Sequence, residues 1–175
     1  MARISIFGIG YVGVVAAACL AQDGHDVIAV DVDQGKIDAI NAAKSPIVEK
    51  GLGPLVKKVV EAGKLYATSN VEWAINNTEA SFVCVGTPSA EDGSVGLIYV
   101  TSVCESIGAA LAKKDAFHSV IIRSTIVPGS CEGTCIPTLE AASGKVAGQG
   151  FGVGYYPEFL RESTAIEDYY DPGLI

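Results

Sequence analysis

Long apolar runs and clusters of positive charge are both missing from this sequence. No apolar stretch reaches the ~20 residues that a membrane-spanning helix needs, so we expect no transmembrane segment. The 12 lysine and arginine residues are outnumbered by 20 acidic residues, which gives a net charge of −8, and they form no basic run. This pattern argues against binding to nucleic acid or to a membrane surface. The N-terminal residues lead directly into a strand pattern without the layout of a signal peptide, which favours a cytoplasmic protein.

Cysteine and histidine are too scattered to indicate a disulfide framework or a metal centre. The five cysteines are odd in number and most lie within apolar runs, so we expect reduced, buried thiols. Cys131 and Cys135 have no second pair of ligands nearby, and the two histidines are distant from them, so we expect no metal site. The remaining composition, 49% hydrophobic and 18% charged over 175 residues, is typical of a single globular domain spanning residues 1–175.

Apolar, β-branched runs alternate along the chain with longer segments of helical pattern. The runs lack polar alternation, as expected for strands that are buried on both faces of a parallel sheet. The predicted strands are Arg3–Phe7, Val27–Asp31, Leu65–Thr68, Ala80–Val85, Ser119–Ile122 and Gly150–Tyr155. The predicted helices are Val12–Asp23, Gly35–Asn41, Gly53–Ala62, Val71–Asn76, Tyr99–Lys113 and Ser130–Ala142. This order predicts an α/β fold of Rossmann type, a doubly wound, mostly parallel sheet with helices on both faces.

Three glycines, Gly8, Gly10 and Gly13, separate the first predicted strand from the first predicted helix. In this G-x-G-x-x-G spacing the first glycine permits a tight turn, the second lets a pyrophosphate approach the backbone, and the third allows close packing. The helix that follows presents free N–H groups to the phosphates. Asp31 ends the second strand, where a carboxylate takes the ribose hydroxyls and repels a 2′-phosphate. The sequence therefore predicts NAD rather than NADP as the cofactor.

Two stretches, 43–51 and 87–96, are predicted to be loops at the carboxyl edge of the sheet, where ligands of such folds bind. Asp33 is expected to cap the second helix. Lys36, one turn further on, either reaches the adenosine ribose or is a solvated lysine. Glu49, in the first loop, either contacts the cofactor or serves as a cap, and we leave it outside the predicted site.

Four further stretches carry a resemblance to a known family. They are KSPIVEKGL (Lys44–Leu52), VCVGTPS (Val83–Ser89), IRSTIVPGS (Ile122–Ser130) and YPEFLRESTAI (Tyr156–Ile166). Together with FGIGYVG (Phe7–Gly13), they resemble the UDP-glucose/GDP-mannose dehydrogenase family over nearly the whole chain. The third stretch and the first loop resemble most closely the family members that oxidise GDP-mannose, with those that oxidise UDP-glucose close behind. Tyr156 departs from the family pattern, which usually has asparagine before this proline.

The resemblance implies an NAD-dependent, four-electron oxidation of a nucleotide sugar at C6 to a carboxylate, through a thiohemiacetal and a thioester on a cysteine. None of the five cysteines matches the family's nucleophile, which the resemblance places beyond residue 175. The resemblance therefore implies the N-terminal, NAD-binding part of a longer enzyme that forms homodimers or larger homo-oligomers. A truncated NAD-binding module without catalytic activity is the alternative from a different functional class.

The same resemblance assigns the candidate site residues. Those expected to bind NAD are Gly8, Gly10, Tyr11, Val12, Gly13, Asp31, Lys36, Thr87, Pro88, Ser124 and Thr125. Glu158 and Thr125 are the expected catalytic residues, and those expected to bind the nucleotide sugar are Glu158, Phe159, Leu160, Arg161 and Glu162. By their spacing, Glu158 and Glu162 are predicted to share one helical face, either for acid–base chemistry or as a solvated pair partnered by Arg161. Ser124 is expected either to contact the cofactor or to act as a cap.

Overall fold

A computed structural model describes residues 1–89 and 93–172 of the chain. Six strands form one sheet in the order β3-β2-β1-β4-β5-β6, and every neighbouring pair is parallel. The strands are β1 Arg3–Phe7, β2 Asp26–Val30, β3 Leu65–Thr68, β4 Ala80–Val83, β5 Ser119–Ile122 and β6 Gly152–Tyr155. The predicted doubly wound sheet of Rossmann type is therefore confirmed, and all of these strands are parallel.

Helices connect the strands and cover both faces of the sheet. They are α1 Tyr11–Gln22, α2 Gln34–Asn41, α3 Leu52–Glu61, α4 Val71–Asn77, α5 Ile98–Leu111, α6 Ile136–Ser143 and α7 Ala165–Tyr170. The sequence pattern does not predict α7. A π-helical turn, Cys131–Cys135, precedes α6, so the prediction of one regular helix over residues 130–142 is wrong. Pro137 has no N–H to donate and lies in the first turn of α6, which explains why the regular helix begins only there.

Two hydrophobic layers hold the helices against the sheet. On one face, β1 and β2 pack against α1, α2 and α3, with Val15, Ile40 and Val56 fully buried. On the other face, β4 and β5 pack against α4, α5 and α6 through residues such as Ile107 and Leu139. Burying a side chain of this size stabilises the fold by ~1.5–3 kcal/mol. The two layers together therefore hold the strands in fixed positions relative to one another.

A buried polar network lies near the amino edge of the sheet. The hydroxyl oxygens of Ser5 on β1 and Ser81 on β4 are 2.6 Å apart, and Ser81 Oγ lies 2.7 Å from His118 Nε2. The other ring nitrogen of His118 lies 3.0 Å from the ammonium group of Lys114, which also donates to the carbonyl oxygen of Thr78. Burial and the Lys114 charge lower the pKa of His118 to about 4, so its imidazole is neutral at physiological pH.

At the carboxyl edge, two strands leave the sheet earlier than their sequence pattern predicts. β2 ends at Val30, just before Asp31, and β4 ends at Val83. Asp31 and the backbone at 84–85 are therefore free to line the crevice between β1 and β4, at which the strand order reverses. This crevice is where ligands of doubly wound folds bind.

The two predicted loops are described to different extents. Loop 43–51 is confirmed as irregular backbone and turns, and its first residue, Ala43, has a left-handed φ of 59°. Ser89 and Val95 of loop 87–96 pair in an isolated antiparallel bridge. Residues 90–92 of that loop lie outside the described residues.

Candidate functional site

The turn between β1 and α1 contains the three glycines of the motif. Gly8 has a φ of +98°, and a Cβ there would come within 2.9 Å of the carbonyl oxygen of Cys84. A Cβ on Gly13 would lie 1.8 Å from the carbonyl oxygen of Gly8, so only glycine fits there. At Gly10, by contrast, a Cβ would meet no atom within 4 Å, because the backbone borders open space. Gly8 and Gly13 thus permit the packing of the turn, whereas Gly10 faces the crevice.

The N-terminus of α1 is available to an anion. The helix begins at Tyr11, its first turn holds no acidic residue, and no side chain among the described residues caps it. Free backbone N–H groups and the positive end of the helix dipole therefore face the crevice. Together with the open space beside Gly10, this arrangement fits the diphosphate of a dinucleotide such as NAD.

Asp31 lies beside this turn, at the end of β2. Its carboxylate accepts hydrogen bonds from the backbone N–H groups of Ile9 at 2.6 Å and Asp33 at 2.9 Å. Lys36 Nζ lies 3.7 Å from the same carboxylate. Asp33 in turn caps α2 by accepting from the N–H of Gly35 at 2.9 Å, which confirms its predicted role. A carboxylate and an ammonium group therefore lie together at the predicted ribose position.

Two adjoining cavities open along the crevice. The first, of about 380 Å³, is lined by several of the predicted residues, namely Gly8, Gly10, Asp31 and Lys36. The second, of about 330 Å³, is lined by Gly10, Tyr11, Val12, Thr87, Ser124, Thr125 and Glu158. The residues common to both cavities are Gly10, Cys84, Val85 and Gly86. The crevice is therefore bipartite, with the glycine turn at the junction, as an elongated dinucleotide requires.

Hydroxyl side chains join the ends of β4 and β5 beside the second cavity. Thr87 Oγ1 donates to the carbonyl oxygen of Thr125 at 2.9 Å. Ser124 Oγ donates to the carbonyl oxygen of Val85 at 2.6 Å, so it ties the two strand ends together. This bond engages the hydroxyl of the buried Ser124, whereas Thr125 is exposed, and both residues line the second cavity.

Glu158 and Glu162 do not share a helical face, so that prediction is wrong. Residues 156–164 form irregular backbone followed by a turn, and α7 begins only at Ala165. The Glu158 carboxylate accepts a hydrogen bond from the backbone N–H of Leu160 at 2.7 Å. Such a local side-chain contact satisfies the backbone without a helix and competes with helix formation.

Arg161 is held by Asp168 rather than by either glutamate. Its guanidinium lies 2.6 Å from Asp168 Oδ1, and its backbone N–H donates to Oδ2 at 2.9 Å. The hydrogen bond from the Arg161 side chain holds the pKa of Asp168 well below its usual range. The alternative of a solvated glutamate pair partnered by Arg161 is therefore wrong.

The remaining predicted residues lie around the second cavity rather than in it. Pro88 and Glu162 are exposed, and neither lines the two cavities of the crevice. Phe159 and Leu160 line a separate groove of about 460 Å³ beside α1 and α7. Glu158 lines both this groove and the second cavity, so it connects the crevice with the neighbouring surface.

Two side chains outside the predicted site lie in or beside the second cavity: Arg123 lines it, and Glu49 contacts Tyr11, which lines it. Glu49 accepts hydrogen bonds from the Tyr11 hydroxyl at 2.6 Å and from the Ser163 N–H at 2.9 Å. Arg123 is buried directly after β5, with its guanidinium 4.9 Å from the centre of the Tyr156 ring. Among the described residues, none forms a hydrogen bond with the buried Arg123 Nε. A charged residue directly after an apolar strand is the signal that marks Arg123, whereas the loop pattern offers Glu49 only as a cofactor contact or a cap and does not predict its bond to Tyr11.

Cys84 lines both cavities, but it is not a candidate nucleophile. Burial raises the pKa of its thiol to about 12, so the reactive thiolate is scarce at neutral pH. The described residues contain no group of three or more histidine, cysteine, aspartate or glutamate side chains that could hold a metal ion. Within residues 1–89 and 93–172, no helix is both long and apolar enough to cross a membrane.

The fold and the crevice together define a class of protein. The parallel order β3-β2-β1-β4-β5-β6, the glycine turn into α1 and the acidic residue after β2 are the features of a dinucleotide-binding domain of Rossmann type. Many reactions use this fold, so the class alone does not identify the chemistry.

Comparison with known proteins identifies the family. Residues 2–175 match the model of the UDP-glucose/GDP-mannose dehydrogenase family, NAD binding domain. The chain is 54% identical to GDP-mannose 6-dehydrogenase of Azotobacter vinelandii over 172 residues, which are 98% of this chain and 39% of that protein. It is 41% identical to UDP-glucose 6-dehydrogenase AglM of Haloferax volcanii, over 99% of this chain and 40% of that protein.

A solved structure agrees with these matches. The ternary complex of GDP-mannose dehydrogenase from Pseudomonas aeruginosa superposes with a TM-score of 0.94 at 52% identity, covering 95% of this chain and 38% of that chain. The chain thus spans less than half the length of these relatives and corresponds to their N-terminal part. It belongs to the UDP-glucose/GDP-mannose dehydrogenase family and forms its NAD-binding domain. The resemblance seen in the sequence and the prediction of NAD as cofactor are confirmed.

Proposed function

We propose that this chain is the NAD-binding domain of a nucleotide-sugar 6-dehydrogenase that oxidises GDP-mannose at C6 to GDP-mannuronate. The observation that carries the proposal is the second cavity, where Thr125 and Glu158 lie next to the Gly10 turn. Oxidation of an alcohol needs a hydride acceptor and a base, and this cavity combines a dinucleotide-binding turn with a carboxylate. The 54% identity to a GDP-mannose 6-dehydrogenase supports the choice of substrate.

The residues proposed to hold NAD follow the crevice from one cavity to the other. We assign the diphosphate to the turn 8–13, the adenosine ribose to Asp31 and Lys36, and the nicotinamide half to residues 87–88 and 124–125. The free N–H groups at the start of α1 and the open space beside Gly10 support placing the diphosphate at this turn. When bound, NAD supplies the acceptor for a hydride from the alcohol carbon.

Glu158 is proposed as the general base, acting directly or through a water molecule. One of its carboxylate oxygens is fixed by the Leu160 N–H at 2.7 Å, which orients the group at the cavity. Thr125 is proposed to hold the nicotinamide or a water through its exposed hydroxyl. Residues 159–162 are assigned to the sugar nucleotide, with Glu162 between cofactor and sugar.

The covalent steps are proposed to use a cysteine in the part of the protein that follows this chain. The cysteine at the crevice, Cys84, is a buried thiol with a raised pKa, which does not suit a nucleophile. We further propose that the complete enzyme is a cytoplasmic homo-oligomer, as the family resemblance implies. UDP-glucose is the second candidate substrate, supported by the 41% identity to an archaeal UDP-glucose 6-dehydrogenase.

The test compares the 175-residue chain with the complete protein. Calorimetric titration measures NAD binding, and NADH formation is followed with GDP-mannose and with UDP-glucose. We expect the chain alone to bind NAD but to form no NADH with either sugar, and the complete protein to oxidise GDP-mannose. If the complete protein oxidises UDP-glucose faster than GDP-mannose, UDP-glucose becomes the proposed substrate. A complete protein that binds NAD and oxidises neither sugar would contradict the enzymatic proposal and favour a non-catalytic module.

A further inference from the structure

The Glu49 carboxylate joins two parts of the chain that are distant in sequence. Its Oε2 accepts hydrogen bonds from the Tyr11 hydroxyl at 2.6 Å and from the Ser163 N–H at 2.9 Å. Its Oε1 accepts from the N–H of Ala165, the first residue of α7, at 3.4 Å. One half-buried side chain therefore connects the start of α1 with the segment that leads from Glu158 into α7.

Tyr11 extends the same connection from the side of the glycine turn. It is the first residue of α1 and directly follows Gly10, so its backbone belongs to the turn assigned to the diphosphate. Its hydroxyl reaches Glu49 and also lies 3.2 Å from the carbonyl oxygen of Arg161, next to Glu162. The phenol ring thus spans the distance between the dinucleotide turn and the residues proposed to face the sugar.

Ser163 shows that the connection constrains the backbone. It has a φ of +73°, in the left-handed region that non-glycine residues rarely adopt. Such a conformation is strained and persists only where surrounding contacts impose it. The N–H of Ser163 is held by Glu49, so this contact helps to fix the direction in which the chain leaves Glu162.

The hydrogen bond between Tyr11 and Glu49 keeps one protonation state near neutral pH. Burial and the neighbouring Glu49 raise the pKa of the Tyr11 hydroxyl above its ordinary value. The hydrogen bond from Tyr11 lowers the pKa of the Glu49 carboxyl. A neutral phenol therefore donates to an ionised carboxylate, which is a strong, charge-assisted pairing.

We propose that Tyr11, Glu49 and Ser163 form a latch that couples occupancy of the dinucleotide turn to the position of the Glu158–Glu162 segment. Tyr11 and Glu49 are then positioning residues for the reaction, and this inference rests on the proposed function. A ligand that orders residues 8–13 also orders the segment across the latch, and by linkage a ligand on that segment strengthens dinucleotide binding.

The test measures backbone hydrogen exchange with and without NAD, by mass spectrometry, on the chain as it is. Three variants are compared with the wild type: Glu49→Gln, Tyr11→Phe and the double variant. Gln offers only one acceptor oxygen in place of the two that Glu49 uses, and Phe removes only the Tyr11 hydroxyl. Tyr170→Phe is the matched control, because it deletes another phenol–carboxylate bond, from Tyr170 in α7 to Asp23, the residue directly after α1, at 3.0 Å.

In the wild type and in Tyr170→Phe, we expect NAD to slow exchange in residues 8–13 and also, by about fivefold or more, in residues 157–165. In Glu49→Gln and in Tyr11→Phe, NAD should still slow exchange in residues 8–13 but should no longer slow it in residues 157–165. The double variant should behave like each of the single variants. Should Glu49→Gln fail to fold, Tyr11→Phe decides the question alone. NAD-dependent protection of 157–165 that survives in Tyr11→Phe, or that is absent from the wild type, would overturn the latch. No protection of residues 8–13 in the wild type would instead contradict the proposed function.

Discussion

The carboxylate of Asp31 accepts a 2.6 Å hydrogen bond from the backbone N–H of Ile9, inside the glycine turn. The N–H of Asp33 holds the other carboxylate oxygen at 2.9 Å. Only 10% of the Asp31 side chain is exposed, so its negative charge is fixed in position and poorly screened by solvent. We propose that this fixed charge is the physical basis for distinguishing NAD from NADP.

Asp31→Asn is expected to narrow the preference for NAD. A 2′-phosphate beside the wild-type carboxylate should cost on the order of 1–4 kcal/mol, so we expect NAD to bind about tenfold or more tightly than NADP. Calorimetric titration of both cofactors against both proteins measures the change. Equal affinities in the wild type would show that Asp31 does not face the ribose.

Two glycine substitutions are expected to separate packing from ligand binding. Gly13→Ala would place a Cβ 1.8 Å from the carbonyl oxygen of Gly8, so we expect a loss of ~3 kcal/mol or more in the free energy of unfolding. Gly10→Ala meets no atom within 4 Å and should leave this free energy within ~0.5 kcal/mol, while its methyl group blocks the diphosphate. Urea unfolding and NAD titration test the pair. Undiminished NAD affinity in a folded Gly10→Ala protein would argue against the assigned path of the diphosphate.

The free energy of unfolding is expected to fall as the pH drops from about 6.5 to about 4. Burial and the adjacent Lys114 lower the pKa of His118 to about 4, whereas an unfolded histidine titrates near 6.5. Between these values the unfolded chain binds a proton that the folded chain does not, so stability rises with pH across this window. This difference in pKa corresponds to a loss of about 3 kcal/mol in the free energy of unfolding between about pH 6.5 and about pH 4.

Urea unfolding across this pH window provides the measurement. His118→Gln should flatten the pH dependence, because glutamine does not titrate. His25→Gln is the control, since the His25 ring is only half-buried and accepts a hydrogen bond from the Ala2 N–H at 3.1 Å. An unchanged slope in His118→Gln would assign the acid sensitivity to other groups.

Glu158 and Glu162 are expected to affect different kinetic constants of the complete enzyme. Glu158→Gln keeps the shape of the side chain but loses its basicity, so kcat should fall ~10²–10⁴-fold while the KM for NAD changes little. Glu162→Gln should raise KM with a smaller fall in kcat, because Glu162 lies outside the second cavity and is proposed to act in binding. Steady-state kinetics of the two variants distinguish these effects, and a wild-type rate in Glu158→Gln would remove the acid–base role.

The sheet and the glycine turn could be predicted from sequence because their signals are local. Continuous apolar runs such as Arg3–Phe7 and Ser119–Ile122 match the observed strands at both ends. Gly8 and Gly13 have the spacing that a backbone turn into a helix requires, and the structure shows that a Cβ would clash at each of them. Short-range pattern and steric exclusion are thus sufficient for this half of the site.

The remainder of the site depends on contacts between distant segments, which no local pattern reports. The spacing of Glu158 and Glu162 suggests a helix, but hydrogen bonds to Glu158 and Glu49 and the left-handed Ser163 impose a turn instead. Asp168 lies in α7, a helix of only six residues that has too little periodicity to be recognised. Its pairing with Arg161 therefore could not be anticipated.

The buried network of Ser5, Ser81 and His118 lies near the amino edge of the sheet, whereas the crevice opens at the carboxyl edge. Polar groups that must stay satisfied for the chain to fold are therefore separated from those that face a ligand. Apart from Glu49, substitutions in loops such as 43–51 and 87–96 can therefore change ligand preference without removing a hydrogen bond of this network. The same six-stranded scaffold can in this way diversify among substrates while its folding requirements stay constant.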